Sequence, residues 1–200
     1  MSVIGNLLFY SGRGPGLSDV LRHNLEKDVP AKVNRIPASD FESKSDDELT
    51  SAIVELAKAE PLTLRLDEAV GDVTEKSVTV QDIFGDTATI PGLRVTKVIP
   101  FDGEAQFFQL QPNTWDMNPP RGEVRGQKLI VGMEVRESES DSAVQYIEQT
   151  IARVQEHIER QQGQIDEHNA QLPGVAAAAI QRRRASVGKA SDLAARLRGR

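Results

Sequence analysis

The chain has 200 residues, a formal net charge of −6, a hydrophobic content of 38% and no cysteine. These values fit one or two soluble domains and exclude disulfides, a thiolate nucleophile and a cysteine-based zinc site. No stretch approaches 18 consecutive apolar residues, which argues against a membrane-spanning helix. The first ten residues lack the pattern of a secretory signal. The absence of cysteine makes a reducing cytoplasm the simplest expected location.

The N-terminal quarter predicts two helices. Residues 17–25 form an amphipathic segment for which Ser18 is a suitable N-cap. Residues 40–58 predict a firmer helix, with Leu49 and Ile53 on one face. Within it, Ser45 and the acidic residues that follow match a helix start, because a hydroxyl caps free N–H groups and negative charge suits the dipole.

The middle of the chain is rich in β-strand patterns. Alternating or β-branched runs predict strands at 62–66, 77–83, 93–99, 105–110 and 123–136, the last being the longest. The runs follow one another through short turns, which favours an antiparallel sheet. The single tryptophan, Trp115, lies in the loop before the last strand and is a candidate anchor for a ligand or partner. The alternative is that Trp115 plugs one end of the sheet.

Residues 144–179 carry apolar side chains at alternating spacings of three and four, here called the heptad seam. Such a stripe is typical of a helix that pairs with another helix. A helix over 141–172 would be about 48 Å long, whereas the preceding 140 residues suit a body about 35 Å across. The predicted interface residues are Ile147, Ile151, Val154, Ile158, Ile165, His168 and Leu172.

Two histidines of the helix receive different interpretations. His168 lies on the heptad seam, where it either forms a register-fixing polar layer with Gln161 or provides a response to pH. His157 lies off the seam, which predicts exposure to solvent. Together with His23, these histidines do not have the arrangement of a metal site, and no metal or cofactor is expected.

The C-terminal end is basic and the rest of the chain is acidic. Residues 182–200 hold seven basic residues and one acidic residue, which leaves 17 basic against 29 acidic residues elsewhere. Pro173 and Gly174 predict a kink or break before this end. The cluster of Arg182, Arg183 and Arg184 suits an acidic protein surface better than nucleic acid, because no aromatic residues are interleaved with it.

The glycine-rich segment at 12–16 is a weak candidate for binding phosphate. Gly12, Gly14 and Gly16 alternate between the apolar run at 3–10, which predicts a strand, and the helix predicted at 17–25, and Arg13 adds positive charge. Backbone N–H groups at such a place suit an anion. However, the spacing matches neither established nucleotide-binding motif, and Pro15 removes one donor. A flexible connector is the alternative.

Several short motifs resemble the N-terminal module of uncharacterised bacterial multidomain proteins. The motifs are Asp46-Asp47-Glu48-Leu49, Glu60-Pro61-Leu62-Thr63-Leu64, Arg94-Val95, Ile99-Pro100-Phe101-Asp102-Gly103, Phe108 with Pro112, Asn118-Pro119-Pro120-Arg121-Gly122-Glu123-Val124, Asn169-Ala170-Gln171-Leu172-Pro173 and the 182–184 arginines. The resemblance covers nearly the whole chain. It implies that a nuclease-like or TIR-like effector domain can follow and that the setting is anti-phage defence, and it provides no catalytic residues.

Together these features predict an α+β fold. An antiparallel sheet with N-terminal helices forms a body at 1–140, and a long coiled-coil-like helix with a basic tail occupies 141–200. The function that we expect is a non-catalytic sensing and oligomerisation module that pairs through the helix and couples to an effector. The alternatives are a nucleotide-binding protein or enzyme that uses the 12–16 loop, and a nucleic-acid binder that uses the arginine tail.

Overall fold

The computed structural model describes residues 1–81, 87–114 and 118–199. These residues form an antiparallel sheet and five α-helices, so the predicted α+β class is confirmed. The strands are β1 (Ser2–Val3), β2 (Asn6–Leu7), β3 (Thr63–Leu64), β4 (Val70–Gln81), β5 (Thr87–Asp102), β6 (Arg121–Arg125) and β7 (Lys128–Arg136). The helices are α1 (Leu17–His23), α2 (Val29–Asn34), α3 (Ala38–Ser43), α4 (Asp46–Ala57) and α5 (Ser140–Arg198).

Strand β5 lies at the centre of the sheet. It pairs with β7 along one side and with β4 and β3 along the other. The outer side of β7 carries β1 and β6, and β2 pairs with β6. The single long strand expected at 123–136 is wrong, because Gly126 has a φ of +56° and forms a tight turn between β6 and β7.

The described chain divides into two compact units. The first contains Met1–Leu17 and Glu60–Gln162, and the second contains Ser18–Ala59 and Gly163–Arg200. Helix α5 contributes its N-terminal part to the first unit and its C-terminal part to the second. The division therefore differs from the boundary expected at residue 140.

The first unit has an aromatic core on one face of the sheet. Phe108 contacts Phe9 at 5.6 Å and Phe101 at 4.9 Å between ring centroids. Phe107 and Phe108 are both buried and belong to a 3₁₀-helical segment, Ala105–Gln109. The strand expected at 105–110 is wrong, because the Phe107 N–H donates to the Glu104 carbonyl and the Leu110 N–H to the Phe107 carbonyl, the spacing of a 3₁₀ helix.

The second unit is built around α4 and the C-terminal part of α5. Its core is formed by Val29, Val33, Phe41, Leu49, Ile53, Ala57, Leu172, Ala176, Ala179 and Ile180. The expected helix at 40–58 is divided into α3 and α4 by Lys44, which has extended backbone angles.

The cap predicted for α4 is confirmed. The Glu48 N–H donates to Ser45 Oγ over 3.2 Å, and the Ser45 N–H donates to the Glu48 carboxylate over 2.8 Å. These two bonds form a capping box. The hydrogen bond from the Ser45 backbone lowers the pKa of Glu48 below its usual range, because it favours the charged carboxylate.

Helix α5 continues through Pro173, so the break expected there is wrong. A proline inside a helix costs about 3 kcal/mol. Pro173 itself is exposed, whereas Leu172 and Ala176 on either side of it are fully buried in the second unit. Burial of these neighbours offsets the cost of the missing hydrogen bond.

Candidate functional site

The predicted interface on the long helix is covered within a single chain. In the first unit Ile147, Ile151 and Val154 are buried, and Ile158 is partly buried. In the second unit Ile165, His168 and Leu172 are also buried. Six of these seven side chains have almost no free surface to offer a second helix, and Ile158 has only part of its surface free. The proposed pairing of two copies through the heptad seam is therefore wrong, because the chain itself provides the apolar cover.

The structure also corrects the interpretation of His157. Its imidazole is buried and lies stacked against Phe9, with 4.9 Å between ring centroids and 7° between planes. A straight helix turns by about 20° per heptad relative to a strict seven-residue repeat. The buried stripe of α5 consequently includes a residue that the heptad template places outside it.

Gln161 lies in this stripe and has a role within the first unit. Its amide nitrogen donates to the carbonyl oxygens of Phe107 and Leu110 over 2.9 and 2.7 Å. The Phe107 carbonyl belongs to the 3₁₀-helical segment, and the Leu110 carbonyl follows it. Backbone acceptors at such a place lack a regular helical partner. The sequence predicted that Gln161 belongs to a polar layer that fixes the register of two helices. In the structure Gln161 instead holds a turn against the helix of its own chain.

Two amide donors at the glycine-rich loop that a phosphate could use are already bonded within the chain. The Gly14 N–H donates to the Ser11 carbonyl over 2.7 Å, and the Leu17 N–H donates to the Gln111 carbonyl over 3.0 Å. Pro15 has no N–H group. The bonds of Gly14 and Leu17 and the lack of an N–H on Pro15 argue against the phosphate site proposed at Gly12, Arg13, Gly14 and Gly16, which stays a prediction.

Within the arginine cluster, Arg184 has a structural role in the second unit. Its guanidinium donates to Asp46 Oδ1 over 2.6 Å, to the Lys44 carbonyl over 2.8 Å and to the Phe41 carbonyl. A fork of this kind holds the residues before α4 in place. Arg184 is therefore unsuited to the partner contact that the sequence predicted for it.

The other candidate contact residues have different outcomes. Arg182 and Arg183 line a small cleft of about 160 Å³. Trp115 lies outside the described residues.

The feature that sequence reasoning missed is the free edge formed by β4. Among the described residues β4 pairs with β5 alone. Every residue from 70 to 77 is exposed, and Val70 and Val73 retain 64% and 60% of their accessible surface. The strand presents backbone donors and acceptors along its outer side, the arrangement that another strand can extend.

Charged groups on β4 already form part of a surface network. Lys76 Nζ lies 2.5 Å from Glu134 Oε1 on β7, and Arg94 of β5 lies 3.9 Å from the same oxygen. Asp72 precedes Lys76 by four residues, so both side chains lie on the same face of the strand. Asp72 has no ion-pair partner among the described residues.

Neither family models, nor curated proteins, nor solved structures give a match to this chain. In the described part of the chain, no three potential metal-binding carboxylates or imidazoles come together. Within that same part, no helix combines the length and apolar character needed to cross a membrane.

Proposed function

We propose that this chain is a non-catalytic assembly module, and that two copies associate through the free edges of their β4 strands. The observation that carries the proposal is the 12-residue edge strand, exposed from 70 to 77 and flanked by no covering element among the described residues. Pairing of two such edges satisfies backbone groups and covers Val70 and Val73. It also replaces the helix pairing that the buried seam excludes.

The charges of β4 favour one register of this pairing. In a dimer with a twofold axis perpendicular to the sheet, two residues that lie opposite each other must both have even numbers or both have odd numbers. With the axis at Thr74, Asp72 lies opposite Lys76 of the second copy, twice per dimer. Opposite charges across an antiparallel pair stabilise it by about 0.2–1 kcal/mol per pair.

The neighbouring registers lack this match. An axis at Asp72, Glu75 or Lys76 places that residue opposite the same residue of the second chain. Two like charges then face each other, which destabilises the pair. An axis at Val73 produces no pair of opposite charges. The register centred on Thr74 also places Val70 opposite Val78, so two apolar side chains meet on one face.

Assembly of this kind suits the role implied by the resemblance to N-terminal modules of bacterial proteins. Bringing two copies together would bring together the effectors to which they are linked or bound. The proposed setting is cytoplasmic anti-phage defence, in which a trigger changes the degree of association. A trigger acts only to the extent that it binds the associated and separate states with different affinity.

A cysteine placed on the proposed axis tests the register. The natural chain has no cysteine, so Thr74→Cys introduces a single thiol. Opposite residues of an antiparallel pair have Cβ atoms about 4.5–5.5 Å apart, close to disulfide geometry. Mild oxidation with copper phenanthroline should produce a covalent dimer of the Thr74→Cys protein on a non-reducing gel.

Ser77→Cys is the matched control, since Ser77 is exposed on the same strand. In the proposed register the two Ser77 positions are about 20 Å apart, at roughly 3.4 Å per residue. The control should therefore form dimers at the slow rate of random collision. Equal rates of cross-linking for the two variants would contradict the proposed pairing.

A further inference from the structure

A cleft of about 440 Å³ lies within the first unit and has no role in the association proposed above. Its walls come from the N-terminal strands, the segment before β6 and the first turns of α5. The side chains that give it chemical character are Tyr10, Arg121, Tyr146, Thr150 and Arg153. The volume is within the range of small-molecule sites.

The cleft concentrates positive charge in a protein that is acidic as a whole. Arg121 and Arg153 both line it, and none of the described lining residues is acidic. Neither guanidinium forms an ion pair with a carboxylate in the described part of the chain. Two cations that line one cleft repel each other, and a bound anion reduces that repulsion.

Thr150 provides a second, independent indication of a ligand. The residue is only 1% exposed, yet its Oγ1 atom has no hydrogen-bond partner, not even the carbonyl one turn earlier in the helix. Leaving a buried hydroxyl without a partner is unfavourable, and most such groups are satisfied. Oγ1 has almost no accessible surface, so the Thr150 side chain would rotate towards the cleft for a polar ligand atom to satisfy this hydroxyl.

We infer that the cleft binds a phosphate monoester of about mononucleotide size. The two guanidinium groups match the two negative charges of such a phosphate and supply donors in a geometry that suits its oxygens. Tyr10, Tyr146 and the adjacent prolines provide flat and apolar walls for a planar ring. This binding is independent of whether copies of the chain associate.

Isothermal titration of the full chain with AMP tests the inference, with GMP, CMP and UMP as parallel titrants. At least one nucleotide should bind saturably, and the matching nucleoside should bind about tenfold more weakly or worse, because it lacks the charged group. Arg153→Gln and Arg121→Gln should each weaken nucleotide binding by about tenfold. Inorganic phosphate should bind more weakly than the nucleotide, since it leaves the apolar walls unfilled.

Two further variants separate binding from folding. Arg160→Gln removes a guanidinium from the same helix two turns away, where Arg160 pairs with Glu156, and should leave the affinity unchanged. Thr150→Val keeps the side-chain shape and removes the unsatisfied hydroxyl. It should weaken nucleotide binding several-fold while the melting temperature of the free protein stays equal or rises.

Three outcomes would overturn the inference. The first is that none of the four nucleotides binds saturably at millimolar concentration. The second is that binding occurs but is unaffected by Arg153→Gln, Arg121→Gln and Thr150→Val. The third is that inorganic phosphate binds as tightly as every nucleotide, since this would identify an anion site without selectivity for an organic body.

Discussion

Several polar residues that look like binding groups in the sequence stabilise the fold instead. Gln161 donates to two carbonyls of a turn, and Arg184 donates to two carbonyls before α4 and to the Asp46 carboxylate at its first residue. Each arrangement provides hydrogen-bond partners for backbone carbonyls or a carboxylate that helix or sheet hydrogen bonds do not satisfy. A polar residue inside an apolar stripe therefore has two equally good explanations. It either provides a hydrogen bond to a nearby backbone group or fixes the register of two paired helices.

Removing the cap of α4 should destabilise the second unit. Ser45→Ala eliminates the acceptor for the Glu48 N–H and should lower the free energy of unfolding by about 0.5–2 kcal/mol. Urea denaturation at pH 7 measures the change. Thr50→Ala, in the middle of the same helix, is the control and should have a much smaller effect, because a helix interior needs no cap.

The capping box should also give a specific pH dependence. The pKa of Glu48 is lowered in the folded chain, so its contribution to stability is present above the unfolded pKa and is lost as pH falls through the folded value. The difference in unfolding free energy between the natural chain and Glu48→Gln should therefore shrink below about pH 4. A difference that is constant from pH 7 to pH 3 would contradict this assignment.

At the level of elements, the long helix is held by the packing of its own chain. Its buried stripe continues from Ala143 to Ile180, following the 3.6-residue period of a straight helix rather than a strict heptad. The pattern of apolar residues was read correctly from the sequence. The element that packs against these residues was not predicted correctly, because periodicity shows which face of a helix is covered and does not show what covers it.

Truncating one residue of the stripe should reduce stability without changing assembly. Ile151→Ala removes buried methyl and methylene groups and should lower the free energy of unfolding by about 2–5 kcal/mol. Val144→Ala on the same helix, where Val144 is 49% exposed, should change it by less than about 0.5 kcal/mol. A shift of Ile151→Ala to lower mass without loss of stability would restore the helix as the interface.

The sequence predicted elements well where their residues follow a clear period or cap. The cap at Ser45, the strands at 93–99 and the antiparallel arrangement are confirmed. The first half of β4 was missed, because an exposed edge strand carries Gly71, Asp72 and Glu75, which are uncommon in strands. Phe107 and Phe108 resembled a strand, because β propensity does not distinguish a pleated strand from a buried 3₁₀ turn.

The sites were less predictable than the elements. The cleft brings together Tyr10, Arg121 and Arg153 from three distant parts of the chain, and no local spacing indicates that they meet. The loop at 12–16 had a suggestive composition, but whether its N–H groups are available depends on the Ser11 and Gln111 carbonyls. Such pairings between distant residues become visible only in the folded chain.

At the scale of the whole molecule, the central claim is that assembly uses the free edge of β4. The formal net charge is −6, so two copies repel weakly at long range and salt screens this repulsion. Association therefore depends on the contacts made along the strand. In the proposed register Asp72 and Lys76 each contribute to two ion pairs, so one substitution at Asp72 changes both pairs at once.

Sedimentation equilibrium of the natural chain and of Asp72→Lys tests this claim most directly. The natural chain should change with concentration from the 21.9 kDa of one copy towards twice that mass. Asp72→Lys should remain at the mass of one copy, because the substitution places a positive charge opposite Lys76 of the second copy. Asp67→Lys, an equal change of charge on an exposed residue outside β4, should associate like the natural chain. A natural chain that stays monomeric at several hundred micromolar, or an Asp72→Lys protein that associates equally well, would contradict it.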